Sequence, residues 1–412
     1  MGFESKNQQH SEDFSGKHKS ETKMNKQRIS NEYGQILVIF VVALIVLFGF
    51  LALIIDGGNL FLQRRAAQNA ADAGAMAGAA EMCLPDNYSF ASPEQAAIIY
   101  ATSHNTADTA IPEVDGVHGV VTVTTQISSS SFFAHFVGFP ELTAQASAAA
   151  ACCPATTGES VLPIAWACRA PISGTLPDKT DCSENAITYA QVISYVNDYP
   201  SPIPKELYIV MDSVSEPGDL ADICMSEGGW LDCDLDNDGE DDLIANGGRS
   251  WLDLDGAGGG SVELVNWIND GFPDEIDTPV WIGGQSGVAN NVFQNAGGKV
   301  GEIVTVPVFN KICDDYPTEA CGLEGGDDII TTAGGLYYHR IIGFAAFYIT
   351  CVDAPGLGTT CPGKDYAVDL EVIAANTKTI EGFFVKDIIP DLTDMDCDSG
   401  VYTGAFVMRL TK

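Results

Sequence analysis

Residues 34–81 read GQILVIFVVALIVLFGFLALIIDGGNLFLQRRAAQNAADAGAMAGAAE, and this stretch decides the architecture. Its first part, Ile36 to Ile55, is twenty uncharged and almost wholly apolar residues. About twenty such residues cross the roughly 30 Å hydrocarbon core of a bilayer as a helix, with every backbone polar group satisfied inside the segment. Without a break, the second part continues as a helix of small residues. Ala66, Ala70, Ala73, Ala77 and Ala80 recur at three- and four-residue spacing, with Gly74 and Gly78 beside them. Such a face lets backbones approach closely. A partner chain and the protein's own strands both fit as the surface it packs on. Pro85 stops the helix.

A cleavable signal has a shorter apolar core, of about 7–15 residues, and a small-residue cleavage site. Here the core is longer and sits behind a polar tail, residues 1–33, that is aperiodic and reads as disordered. Ala77-Gly78-Ala79 resembles a cleavage site, so processing stands as the alternative to an uncleaved signal anchor. Orientation follows the basic residues beside the span. Lys6, Lys17, Lys19, Lys23, Lys26 and Arg28 precede it, whereas Arg64 and Arg65 alone follow closely. That places the tail in the cytoplasm and the bulk of the chain outside, in a single pass. All twelve cysteines lie at or beyond Cys83, as a disulfide-forming compartment requires.

Charge is segregated in the same way. Residues 83–412 hold twelve Lys and Arg against forty-eight Asp and Glu, a balance that equals the net charge of −36 for the whole chain. A nucleic-acid partner needs phosphates neutralised, so that class is excluded. Long enough for a sizeable core, the region is rich in Gly, Thr, Val and Tyr.

The expected organisation is a tail (1–33), a transmembrane helix (34–55), a small-residue helix with a strand region (56–150), and an acidic Cys-rich β domain (151–412). The last boundary rests on the composition change at Cys152-Cys153-Pro154. Residues 93–103 suggest a short helix, and Gly119–Ile127 alternates as a half-buried strand. A Ser run then leads to Phe132, Phe133, Phe136 and Phe139, and Leu142–Ala151 follows as an Ala-rich strand or helix. Farther on, strand-like runs are Val161–Ala167, Leu207–Val214, Ile303–Phe309, Ile341–Cys351, Tyr366–Ala374, Gly382–Ile388 and Val401–Leu410, with a helix at Val262–Asn269. The fold class is α+β: one transmembrane helix continuing into a small-residue helix, then a disulfide-rich, mainly antiparallel β domain.

The 34–81 segment resembles the N-terminal segment of the Tad-type (Flp) pilus-assembly TadE/TadG-like proteins. Gly34-Gln35 at the membrane entry, the apolar run, Asp56-Gly57, Leu62-Gln63-Arg64-Arg65 and Gln68-Asn69-Ala70-Ala71-Asp72-Ala73-Gly74-Ala75 carry the likeness. It weakens toward residue 150. The resemblance implies a minor, non-enzymatic membrane component of the machinery that builds adhesive pili, with other membrane or pilus-assembly proteins as partners, through the small-residue face at 66–80, and the lipid bilayer. Two departures from the family stand out. Gly34 is followed by Gln35-Ile36-Leu37-Val38-Ile39-Phe40 without the acid of prepilin-like relatives, and Asp212-Ser213-Val214-Ser215 lacks the first Ser of the DxSxS metal motif of von Willebrand A domains.

The sharpest chemical motif is Asp234-Leu235-Asp236-Asn237-Asp238-Gly239-Glu240-Asp241-Asp242. Carboxylates at positions one, three and five with Gly at six wrap oxygens around a hard cation. Asp234, Asp236, Asp238, Glu240 (through its carbonyl) and Asp242 form the expected set for a structural calcium within a loop at 232–245. Ala245 stands where a bidentate Glu would close it, so Asp232, Asp253 or Asp255 is needed. Extracellular modules of this type bind at roughly 10⁻⁴–10⁻³ M. The cluster Asp391, Asp394, Asp396 and Asp398 lacks the Gly and reads as solvated surface, and Asp253–Gly260 reads as a turn. Local bridges Cys224–Cys233, Cys313–Cys321 and Cys351–Cys361 are expected.

Catalytic patterns are weak. The six histidines show no ligand spacing, and Gly283-Gly284-Gln285-Ser286-Gly287 lacks the second Gly of a nucleophile elbow because Val288 follows. The expectation is a non-catalytic, membrane-anchored pilus-assembly or secretion component, with no enzyme activity. Its alternative is a calcium-stabilised surface adhesion or envelope protein on the same kind of anchor.

Overall fold

In the computed structural model the described residues are 33–84, 90–158, 160–167, 186–198, 207–211, 225–226, 230–233, 243–246, 251–285, 290–313, 316–319, 322–331, 338–369, 375–389, 392–398 and 401–411. The chain divides into two compact units, one comprising residues up to 57 with 131–140, the other 58–130 with 141 onward.

The first unit is built on helix α1 (Tyr33–Leu51), followed by a π-helical turn at Ala52–Asp56. Its apolar side chains bring no competing hydrogen-bond groups, so the intrahelical ladder is the only outlet for the backbone. Beside it, residues 131–140 fold back on themselves around a 3-10 turn at Ala134–Val137. Ser131 N–H donates to Pro140 O at 2.9 Å, and Phe139 N–H donates to Ala134 O at 3.0 Å.

The second unit begins with helix α2 (Gly57–Cys83), whose first residue falls in the other unit, and a short helix α3 (Pro93–Thr102). Ser92 caps α3 by accepting from Gln95 N–H, and Pro93 fits the first helical position, where no amide is needed. Both pack on a seven-stranded sheet built around β1 (Thr109–Asp115), β2 (Val120–Ser130) and β3 (Glu141–Gly158). β2 and β3 pair antiparallel from Val120↔Ala151 to Ser130↔Glu141, and Ala405–Leu410 pairs with the far side of β3. Alternation along β2 sends Val121, Val123 and Thr125 into the interior.

A ten-stranded sheet forms the rest, centred on Tyr338–Asp353. That strand pairs antiparallel with Val280–Gly283, Ile303–Cys313 and Thr379–Val385. It is buried on both faces from Tyr338 to Ile349, so its sequence reads as a continuous apolar run rather than an alternation. Trp166, Trp251, Phe293, Phe309, Phe344, Phe347, Phe383 and Phe384 fill the core around it. Pairing is mainly antiparallel, as expected, with parallel exceptions such as Leu207–Met211 beside Leu243–Asn246.

Several expected strands change. The run Val161–Ala167 keeps only Trp166–Ala167 as strand, since Pro163 within it has no amide to donate. Tyr366–Ala374 was expected as strand, but residues 362–369 are helical and 370–374 lie outside the described residues. The reason is visible at the helix start, where the Glu381 carboxylate accepts from Gly363 and Lys364 N–H and satisfies the first turn. Only Ala405–Leu410 of Val401–Leu410 is strand. The composition change at Cys152–Pro154 falls inside β3, which runs on to Gly158.

Cys351–Cys361 is bridged as expected. Two long-range bridges join it: Cys83–Cys152 ties the end of α2 to β3, and Cys153–Cys397 ties the next residue of β3 to a segment 244 positions away. Neighbouring residues of a strand point to opposite faces, which is how adjacent cysteines serve two partners. The expected partners Cys224 and Cys321 lie outside the described residues.

Candidate functional site

The segment singled out by sequence supplies two different surfaces. In the first unit, most large apolar side chains between Ile36 and Ile55 are exposed, from 41 % at Ile55 to 72 % at Leu53. Exposure on this scale, around a helix long and apolar enough to cross a membrane, fits a single-pass anchor.

Asp56 closes the anchor. It is 2 % exposed, and its carboxylate takes three consecutive backbone amides at the start of the 3-10 turn. Oδ1 accepts from Phe132 N–H at 2.8 Å, while Oδ2 accepts from Phe133 N–H at 2.8 Å and from Ala134 N–H. Those are the donors a helical turn leaves unsatisfied, and an ionised acceptor makes each bond stronger than a neutral one would. Inside the span the Phe48 ring stacks on Phe136 at 5.7 Å between centroids and lies 6.2 Å from Phe133. The sequence reading named Asp56 only as a shared motif residue. A lone carboxylate directly after twenty apolar residues was the available signal for a structural role.

In the second unit the small-residue helix face meets the protein's own strands and α3, which decides between the two surfaces that sequence left open. Ala67, Ala70, Ala71, Gly74, Ala75, Gly78, Ala79 and Ala80 are buried, whereas Ala66, Ala73 and Ala77 are half-buried at the margin. A methyl group at Gly74 would stand 2.9 Å from Ala97 O, and one at Gly78 would stand 2.8 Å from Val121 Cγ1. Thr125 Oγ1 donates to Ala67 O at 2.7 Å across the same contact.

The acidic loop Asp234, Asp236, Asp238, Glu240 and Asp242 lies outside the described residues, as does Asp212–Ser215. Of the residues expected to complete its coordination, Asp232 lies on the strand Trp230–Cys233, while Asp253 and Asp255 follow Trp251. Together with Glu263 the latter two bring one carboxylate oxygen each within 4.8 Å of one another. Burial, with Asp255 and Asp253 nearby, raises the Glu263 carboxyl despite a hydrogen bond from Gly259 N–H. In the C-terminal cluster Asp394 pairs with Arg409 at 3.3 Å, and Asp396 accepts from Asp398 N–H at 2.8 Å. Asp253 is buried, Glu263 half-buried and Asp255 exposed, whereas Asp394, Asp396 and Asp398 lie at or near the surface.

His339 is buried against Phe309, and burial lowers its pKa to about 4, so the ring is neutral at physiological pH. A cleft of about 350 Å³ is lined by Leu162, Asn269, Lys299, Glu302 and Asp387, and within it Lys299 pairs with Glu302 at 3.5 Å. Ser286 of the elbow-like motif lies outside the described residues.

No curated protein and no solved structure matches the chain. Residues 34–81 match the Tad family model, described as "Putative Flp pilus-assembly TadE/G-like". The match covers the exposed apolar helix, Asp56 and most of the small-residue helix packed on β2 and α3. Residues 34–81 are thus similar to the Tad segment of Flp pilus-assembly TadE/G-like proteins.

Proposed function

We propose that the chain is a non-catalytic, membrane-anchored component of a Tad/Flp-type pilus-assembly or secretion apparatus. The observation that carries this reading is the coincidence of the TadE/G-like match with an exposed apolar helix of membrane-crossing length. Residues 1–33 lie in the cytoplasm and everything beyond Asp56 lies outside. The basic tail supports that direction, and so do bridges at Cys83–Cys152, Cys153–Cys397 and Cys351–Cys361, since disulfides persist in oxidising compartments. Other pilus-assembly proteins are its partners. With most of the small-residue face occupied internally, the margin at Ala66, Ala73 and Ala77 is what that helix offers them.

Calcium belongs to the same proposal as a structural ion at 234–242, on the strength of the Asp-x-Asp-x-Asp-Gly spacing. A chelator should lower the Tm of the detergent-solubilised protein, and added calcium should restore it. An unchanged Tm removes the ion from the proposal.

The test of function is deletion of the gene followed by electron microscopy of surface pili. Loss of pili that the full-length chain restores is expected. Unchanged piliation overturns the assembly role, and unchanged piliation with lost surface attachment would favour the adhesion alternative.

A further inference from the structure

An aromatic loop is held at the end of the span. Residues 131–140 read SFFAHFVGFP, with His135 the only titratable side chain. Phe132, Phe136 and Phe139 expose 66, 71 and 63 % of their surface. Three large aromatic side chains exposed together on one ten-residue loop are costly in water. Two observations in the same compact unit say what covers them. Asp56, the first residue after the apolar run, holds the amides of Phe132, Phe133 and Ala134 and so pins the loop to the end of the span. The Phe136 ring stacks on Phe48, which lies seven residues before Ile55, about 10 Å back along the helix. The loop therefore reaches down beside the span, to a depth that hydrocarbon occupies when Ile36–Ile55 cross the bilayer.

We propose that the 131–140 loop is a second membrane contact, in which Phe132, Phe136 and Phe139 insert into the leaflet at the exit of the span. Asp56 is its positioning residue. By using the three leading amides of the turn, the carboxylate removes backbone donors that would otherwise oppose transfer into lipid. A single helix is free to rotate and tilt in a bilayer. A helix with an inserted aromatic wedge beside it is fixed in rotation, which gives the protein a set face toward its neighbours in the membrane. The inference rests on the membrane-anchor reading, and the experiment separates the two.

Full-length protein is reconstituted into phosphatidylcholine vesicles with or without bromine on the acyl chains, and tryptophan fluorescence is read against the unsubstituted protein. Leu47→Trp, in the exposed part of the span, reports the anchor; Phe136→Trp and Phe139→Trp report the loop. Bromolipid should quench most of the added fluorescence at all three positions. Quenching at Leu47→Trp with none at either loop position overturns the loop contact and keeps the anchor. No quenching at any position overturns both. Adding Asp56→Asn to Phe136→Trp should reduce the loop's quenching while Leu47→Trp with Asp56→Asn stays quenched. Undiminished loop quenching would remove the positioning role of Asp56.

Discussion

Two parts of the second unit bury their interiors by opposite means. Where α2 and α3 lie on β2 and β3, the interior is mainly Ala71, Ala75, Ala79, Ala97, Ala101, Val121, Val123 and Ala148, side chains of one to three carbons, with Leu84 and Phe406 its larger members. Around the strand Tyr338–Asp353 the interior is Trp166, Phe344, Phe347, Phe383 and Phe384. The first contact is close where α2 and α3 meet through Ala and Gly, and there it depends on backbone proximity. The second depends on the volume of its side chains. Small-residue packing should therefore be sensitive to added atoms, and aromatic packing to removed ones.

The largest effect is expected in the aromatic interior. Phe347 lies 4.0 Å from the Trp166 ring and 5.3 Å from Phe384, fully buried among them. Phe347→Ala should cost about 3–5 kcal/mol and leave a cavity that rigid β pairing on both sides prevents from closing. Denaturant unfolding of the solubilised protein checks this. A loss under about 1 kcal/mol would show that the aromatic interior relaxes, and the contrast between the two regions would fall.

Next in size is the bridge that connects the small-residue sheet to a distant segment. Cys153 and Cys397 are far apart in sequence, so their bond restricts the unfolded chain over a long loop. The double change Cys153→Ser with Cys397→Ser should lower stability by about 2–4 kcal/mol. The Cys351–Cys361 bridge closes only a short loop, and removing it should cost less. Equal losses would mean that loop length is not what the bridges control.

The third effect tests close approach within one helix. Gly58 and Gly78 both lie in α2, yet a methyl group at Gly58 meets nothing within 4 Å, while at Gly78 it meets Val121 Cγ1 at 2.8 Å and Pro93 O at 3.1 Å. Gly58→Ala should stabilise the helix by up to about 1 kcal/mol through propensity alone. Gly78→Ala gains the same propensity but strains the contact, for a net loss of about 1–2 kcal/mol. Stabilisation at both positions, read as Tm in detergent, would refute close packing as the reason for the glycines.

How much of this was legible follows from what each residue does. The apolar run and the small-residue spacing could be read because both are periodic, and the continuous strands Ile303–Cys313 and Tyr338–Asp353 stood out as apolar runs. The sequence did not tell which chain the small face would pack on, because helix spacing is the same for either surface. β1 escaped because Pro112 argues against a strand, and it is tolerated here as β1 lies at the sheet edge, pairing among the described residues with β2 alone. The helix Tyr189–Asn197 also escaped, although Thr188 and Gln191 form a capping box that was there to be read. Long-range bridges had no local signal at all. The Asp56 contact spans 76 positions, so nothing nearby announced it.

The last effect is read against pH and concerns charge inside the aromatic region. Glu381 is fully buried on the strand Thr379–Val385, and burial pushes its carboxyl up to about 7, with Asp365 and Asp353 adding to the rise against two backbone hydrogen bonds. The unfolded carboxyl titrates near 4.5, so between about 4.5 and 7 the folded protein holds a proton that the unfolded chain releases. This contribution to stability is complete below the unfolded value and is lost as pH rises through the folded one. Glu381→Gln removes the titration and keeps one acceptor oxygen where the carboxylate offers Oε2 to Gly363 N–H and Oε1 to Lys364 N–H, a loss that is the same at every pH. Relative to the parent, the variant should therefore gain Tm steadily from pH 4.5 to 7 and then level off. In the small-residue region Glu81 is also raised by burial, but its Oε2 has no hydrogen-bond partner, so Glu81→Gln lacks the amide pair that holds Glu381 in place. A parallel pH difference at both sites would trace the effect to burial alone, whereas a larger one at Glu381 assigns it to the interior around the strand Thr379–Val385.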